Sequence, residues 1–108
     1  MEMFDLMPVA CVVNGKQLCM HGGMSAELTS LRRINRINRK REPGDEDMLL
    51  DLLWADPMDD HEARGMYFSL NPERSCSVYF GEKPVQYIMK REGLKGIIRA
   101  HQCVRLGY

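Results

Sequence analysis

Apolar residues along this chain fall in short runs separated by turn-forming residues, and a few stretches repeat apolar positions at a helical interval. The first run, Pro8-Val9-Ala10-Cys11-Val12-Val13, is followed by Asn14-Gly15 and a second run from Lys16 to Met20. Asn-Gly between two apolar runs predicts a hairpin, because both turn positions need positive φ. The first run is apolar on both faces, which predicts a sheet covered on both sides. Beyond Gly23, Leu28, Leu31, Ile34 and Ile37 recur at spacing three and predict a helix capped by Ser25 or Ser30. Glu42-Pro43-Gly44-Asp45 breaks the chain. Asp47 to Trp54 predicts a short helix with Met48, Leu49, Leu52 and Leu53 inward, stopped by Asp56-Pro57, since the residue before proline disfavours the helical region. Met58 to Glu73 is polar and patternless and predicts a loop. Ser77 to Phe80 predicts a strand. Glu82 to Arg91 predicts a helix with Pro84 in its first turn, Val85, Ile88 and Met89 inward, and Gly93 as its stop. Lys95 to Ala100 is the last strand, and Met1 to Met7 is a helix end or a ragged start. Strands and helices mixed in this way make an α/β chain.

The length of 108 residues allows one domain at most. Apolar content of 44% and charged content of 28% are those of an ordinary globular protein. Fifteen basic residues balance 15 acidic ones, so no global field points to nucleic acid or to an anionic membrane. No apolar run approaches the ~18 residues of a membrane span, and no basic-then-apolar leader pattern opens the chain. Locally, Arg32 to Arg41 holds six basic residues and no acidic one. With arginines between apolar positions, that segment reads as the solvated face of its helix; a nucleic-acid patch or nuclear signal is the sharper alternative, without interleaved aromatics to support it. Four cysteines form no Cys-x-x-Cys pair and read as reduced, buried thiols of a cytoplasmic or nuclear protein.

Candidate chemistry concentrates at two strand ends. Lys16-Gln17-Leu18-Cys19-Met20-His21-Gly22-Gly23 is an apolar run that ends on a histidine followed by two glycines, which let backbone approach closely. Gly96-Ile97-Ile98-Arg99-Ala100-His101 also ends on a histidine. A lone strand-end histidine is ordinarily a satisfied side chain, but two such imidazoles suit zinc, iron or manganese with carboxylates completing the shell. Cys19-x-His21 with His101-x-Cys103 offers a Cys₂His₂ zinc site as an alternative, although the spacing is not that of a zinc finger. Arg74, before Ser75-Cys76-Ser77-Val78-Tyr79-Phe80-Gly81, could present its guanidinium fork to a phosphate, against the plain reading of a solvated loop arginine.

Several blocks then add up. Phe4-Asp5-x-x-Pro8, Cys19-Met20-His21-Gly22-Gly23-x-Ser25, Asp51-Leu52-Leu53-Trp54-Ala55-Asp56-Pro57, Arg74-x-x-Ser77-x-x-Phe80-Gly81, and Arg99-Ala100-His101-Gln102 with Gly107-Tyr108 occur in the order of the phosphoprotein phosphatase family, the metal-dependent Ser/Thr protein phosphatases. The chain resembles that family over nearly its whole length. It resembles the calcineurin catalytic subunit most, through Arg41-Glu42-Pro43 and the lengthened segment Met58 to Glu73.

The resemblance implies a partial calcineurin-like metallophosphatase fold, a layered β-sandwich flanked by helices, with 1–108 as the C-terminal part of the catalytic domain. By position, His21 and His101 match the two histidines that ligate the second metal of a binuclear Fe/Zn or Mn centre. Arg74 matches an arginine that holds the substrate phosphate, and Asp56 a supporting acidic residue. Arg64-Gly65 has the family's usual Arg-Gly spelling, but only Arg74 has the following Ser77 and Phe80-Gly81; the family's glycine is here Ser75. The implied activity is hydrolysis of phosphoserine and phosphothreonine in phosphoprotein substrates, with a regulatory subunit of calcineurin type as a further partner. Gly-Asp-x-His-Gly, Gly-Asp-x-x-Asp-Arg-Gly and Gly-Asn-His-Glu, which supply the first metal's ligands and the general acid, do not occur, and the later tyrosine loop is absent. The expectation is therefore a fragment, inactive by itself, with a non-catalytic module that binds partners as the alternative. Half of a layered core also predicts an uncovered sheet face and open strand edges.

Overall fold

The hairpin around Asn14-Gly15 forms as its sequence predicts, in a computed structural model that describes residues 2–108. Strand β1 (Ala10–Val13) pairs antiparallel with β2 (Gln17–Met20). Asn14 and Gly15 take φ values of 57° and 66°, and the Lys16 N–H donates to the Val13 carbonyl at 3.1 Å. Pairing resumes at Val13 with Gln17, so Lys16 is an extra residue outside the strand, and its carbonyl accepts from Lys95 N at 2.7 Å instead. Strand β6 (Gly96–Arg99) lies parallel on the other side of β2, which gives the order β1-β2-β6. A second mixed sheet holds β3 (Asp56–Pro57), β4 (Phe68–Leu70) and β5 (Val78–Phe80) in the order β3-β5-β4.

The helices are α1 (Glu2–Asp5), ahead of the first strand, α2 (Met48–Trp54), α3 (Asp60–Ala63) and α4 (Glu82–Glu92). Met1 lies outside the described residues, and the rest of the opening segment is the short α1. Asp47 caps α2 by accepting from Leu50 N at 2.7 Å. Leu50 is buried where Leu53 was expected; Leu53 is only half-buried. Gly93 ends α4 in the left-handed conformation, φ 66°, as the sequence predicts. One buried cluster joins Leu18 and Met20 of β2, Leu52 of α2, Phe80 of β5 and Ile88 of α4.

Three expectations change. The spacing-three stripe forms no α-helix but a 3₁₀ segment, Leu31–Arg36, whose period of three matches the interval itself. Leu31, Ile34 and Ile37 pack on the core while Arg32, Arg33 and Arg36 are exposed, the solvated-face arrangement. Ser30 makes no side-chain cap, and the Ser25 hydroxyl goes to Asp51. The segment Met58 to Glu73 is not all loop, since α3 and β4 lie in it; β4 is fixed by pairing with β5, a non-local contact that leaves no local signature. Strand β1 is not covered on both faces: Cys11, Val12 and Val13 are exposed, and β1 and β6 are open edges among the described residues, as half of a layered core predicts.

Candidate metal and phosphate site

The two glycines after His21 serve packing against α2. A Cβ at Gly22 would sit 2.5 Å from the Leu53 carbonyl carbon, and one at Gly23 would clash with the edge of the Phe80 ring. Gly22 N donates to the Leu52 carbonyl at 2.8 Å and Gly23 N to the Asp51 carbonyl at 3.2 Å. The end of β2 is thereby bound to the last turn of α2, which places His21 near Trp54.

Parallel pairing of β2 and β6 brings their carboxyl ends side by side, with Met20 opposite Arg99. Both histidines leave the sheet at this edge, and Ala100 N donates to the His21 carbonyl at 3.2 Å. His101 takes φ 68°, a left-handed conformation unusual for a residue with a Cβ, of the kind that concentrates at functional sites. The turn aims its Nδ1 at His21 Nε2, 2.9 Å away, with ring centroids 4.7 Å apart. Trp54 packs edge-on against His101 at 5.4 Å. Burial first, then the nearby Arg74 charge, push the His101 imidazole below its ordinary pKa, which favours the neutral, metal-ligating form.

At 2.9 Å the two nitrogens share a hydrogen bond. Two nitrogens bound tetrahedrally to one ion at ~2.1 Å lie ~3.4 Å apart, so a shift of about 0.5 Å would bring the pair to a ligating separation. His101 Nε2 is buried without a hydrogen-bond partner among the described residues, and metal-bound imidazoles usually donate this second N–H to a neighbour. The donor set stops there: the described residues hold no group of three His, Cys, Asp or Glu side chains able to share an ion. That rules out the Cys₂His₂ alternative within the chain. None of the four cysteines is disulfide-bonded, but none is buried as expected: Cys11 and Cys103 are exposed, Cys19 and Cys76 half-buried.

Beside the imidazoles stands a finished ionic cluster. Asp56, fully buried at the start of β3, accepts from Arg74 Nε at 2.8 Å, from Arg99 Nη2 at 2.9 Å and from Asn71 Nδ2 at 3.0 Å. Burial acts to raise the Asp56 pKa, but hydrogen bonds from Arg74 and Asn71 and the Arg74 charge outweigh it and hold the carboxyl below the usual range. Arg74 Nη2 also donates to the His101 carbonyl at 3.1 Å, so the cluster touches the imidazole pair. Arg99 Nε donates to the Gly22 carbonyl at 2.7 Å, and its Nη1 to Gln102. The edge of the Arg74 fork expected to face a phosphate is taken by Asp56, leaving Nη1 without a partner among the described residues.

Ser75, which the resemblance sets in a glycine slot, takes φ 56°, the left-handed conformation that glycine adopts freely. Arg64 is exposed at the end of α3, and His61 is exposed beside Glu62, both apart from the cluster. The four predicted residues, His21, Asp56, Arg74 and His101, are brought together. Three neighbours escaped sequence reasoning. Asn71 lies in the supposed loop. Arg99 could have been found as the one charge inside an apolar strand. Asp51 is the third: half-buried, it accepts from Ser25 at 2.6 Å and Ser77 at 2.7 Å, and burial raises its pKa.

Comparison with known proteins bears on this arrangement. The calcineurin-like phosphoesterase family matches residues 1–105. Serine/threonine-protein phosphatase 2B catalytic subunit A1 of Saccharomyces cerevisiae is 40% identical over 97% of this chain and 21% of that protein. Catalytic subunit A2 of the same organism is 34% identical over 99% of the chain and 22% of its own length. Serine/threonine-protein phosphatase 4 catalytic subunit of Kluyveromyces lactis is 38% identical over 99% of the chain and 33% of its own length. A solved serine/threonine phosphatase from Saccharomyces cerevisiae, described as similar to human phosphatase PP5, superposes with a TM-score of 0.80 at 28% identity, over 95% of this chain and 30% of that one. The chain thus spans from about a fifth to a third of these relatives.

Proposed function

This chain belongs to the calcineurin-like phosphoesterase family, and on that premise we propose that it supplies the second-metal and phosphate-facing part of a Ser/Thr protein phosphatase catalytic domain. The observation that carries the reading is the convergence of His21 Nε2 and His101 Nδ1 to 2.9 Å from two parallel strands. These two imidazoles would hold the ion. When bound, such metal ions lower the pKa of a water ligand and polarise phosphoryl oxygens. Arg74 offers Nη1 to a phosphoryl oxygen while Asp56 fixes the rest of the guanidinium, a positioned cation for the charge of the transferred group. Phosphoserine and phosphothreonine in proteins are the proposed substrates, in keeping with the names of the relatives.

Two imidazoles are about half of an ordinary shell, so this chain alone binds metal weakly and turns over no phosphopeptide. Trp54, the single tryptophan, reports on the site because it touches His101. Titration with Cu²⁺ should quench its fluorescence, and His21→Ala or His101→Ala should each remove the quenching. Quenching unchanged in both variants would refute the ligand assignment. Manganese-dependent hydrolysis of a phosphopeptide by the 108-residue chain, abolished in His101→Ala, would overturn its incompleteness.

A second reading, a non-catalytic module that binds partners, is favoured by the exposed Val13 and Ile98 on the sheet and the open β1 edge. Capture of an intact phosphatase or of its calcineurin-type regulatory subunit by the 108-residue chain supports that reading.

A further inference from the structure

A pair of thiols lies outside the cluster around Asp56 and the imidazoles. Cys11 of β1 and Cys19 of β2 are direct partners in the antiparallel register. Directly opposed residues share a sheet face, with Cα atoms ~4.5–5.5 Å apart, within the ~4.4–6.8 Å that a disulfide spans. Both thiols are free. Cys11 is exposed, and both residues line an open groove of about 590 Å³ that a small oxidant can enter.

We propose that Cys11 and Cys19 are a redox-active pair, which hydrogen peroxide converts into a cross-strand disulfide. The Cys11 sulfur, the more accessible, attacks one peroxide oxygen; the O–O bond breaks, leaving a sulfenic acid at Cys11 and releasing water. The Cys19 sulfur then attacks the Cys11 sulfur and forms the S–S bond. The hydroxyl leaves with the Cys19 proton as a second water. Two thiols are oxidised and one peroxide is reduced to two waters. The bond ties the open edge strand β1 to β2, two residues before His21, and a dithiol reductant reverses it.

Lys16 lies between the two cysteines, and the next basic residue after it is Arg32, so trypsin separates them into two peptides. The 108-residue chain is treated with hydrogen peroxide, its remaining thiols are blocked with iodoacetamide, and it is digested without reduction. The expected product joins peptide 1–16 to peptide 17–32, about 2 Da lighter than their sum, and dithiothreitol separates it. It is absent from Cys11→Ser and from Cys19→Ser, and undiminished in Cys103→Ser. Links to Cys76 or Cys103 in its place, or Cys11 recovered as sulfinic acid with Cys19 still blocked as a thiol, overturn the proposal.

Discussion

Two polar clusters meet at His101, and they differ in completeness. Around Asp56, two guanidiniums and an amide saturate a fully buried carboxylate, all from residues of this chain. Around His21 and His101, two imidazoles face each other and a buried ring nitrogen has no partner among the described residues. The first cluster is self-contained structure: charges leave water only when paired and hydrogen-bonded. The second is a pair of imidazoles that satisfy each other through one hydrogen bond and leave His101 Nε2 unpaired among the described residues. Stability and chemistry are therefore separable here, although Arg74 touches both.

The contrast can be broken most forcefully at Asp56. Asp56→Asn leaves Arg74 and Arg99 facing each other without a counter-charge and should cost about 3 kcal/mol in urea unfolding; a loss below about 1 kcal/mol would mean that solvent screens the guanidiniums. Its pH dependence sharpens the point. The folded Asp56 carboxyl is held below its ordinary pKa, so its contribution is present above about pH 4 and is lost as pH falls through the depressed value. Asp51 has the opposite sign: its raised pKa makes its share of stability grow as pH falls through that value. Asp56→Asn should flatten the acid limb of the stability curve, and Asp51→Asn should steepen it.

Smaller effects test the other cluster. Ser75→Gly relieves a left-handed serine and should stabilise the chain by about 0.5–1 kcal/mol while leaving copper quenching of Trp54 unchanged. His21→Ala removes an exposed side chain and should change unfolding free energy by less than about 0.5 kcal/mol, yet abolish that quenching. A large destabilisation by His21→Ala would make the imidazole pair structural and erase the distinction.

Local chemistry wrote much of this molecule into its sequence. Asn14-Gly15 determined a turn because it needs positive φ twice, Gly93 ended a helix by the same freedom, and Pro57 closed α2 from behind. The family's blocks also pointed to His21, Asp56, Arg74 and His101. Tertiary structure decided what those signals could not carry. Whether the stripe from Leu28 to Ile37 wound as α or 3₁₀ depended on packing against the core, and β4 existed only through β5. Arg74 was drawn onto Asp56, 18 residues away, because a buried carboxylate must recruit its cations from wherever the fold brings them. His21 met His101 across 80 residues because β2 and β6 run parallel, and such a pairing is set by the whole sheet.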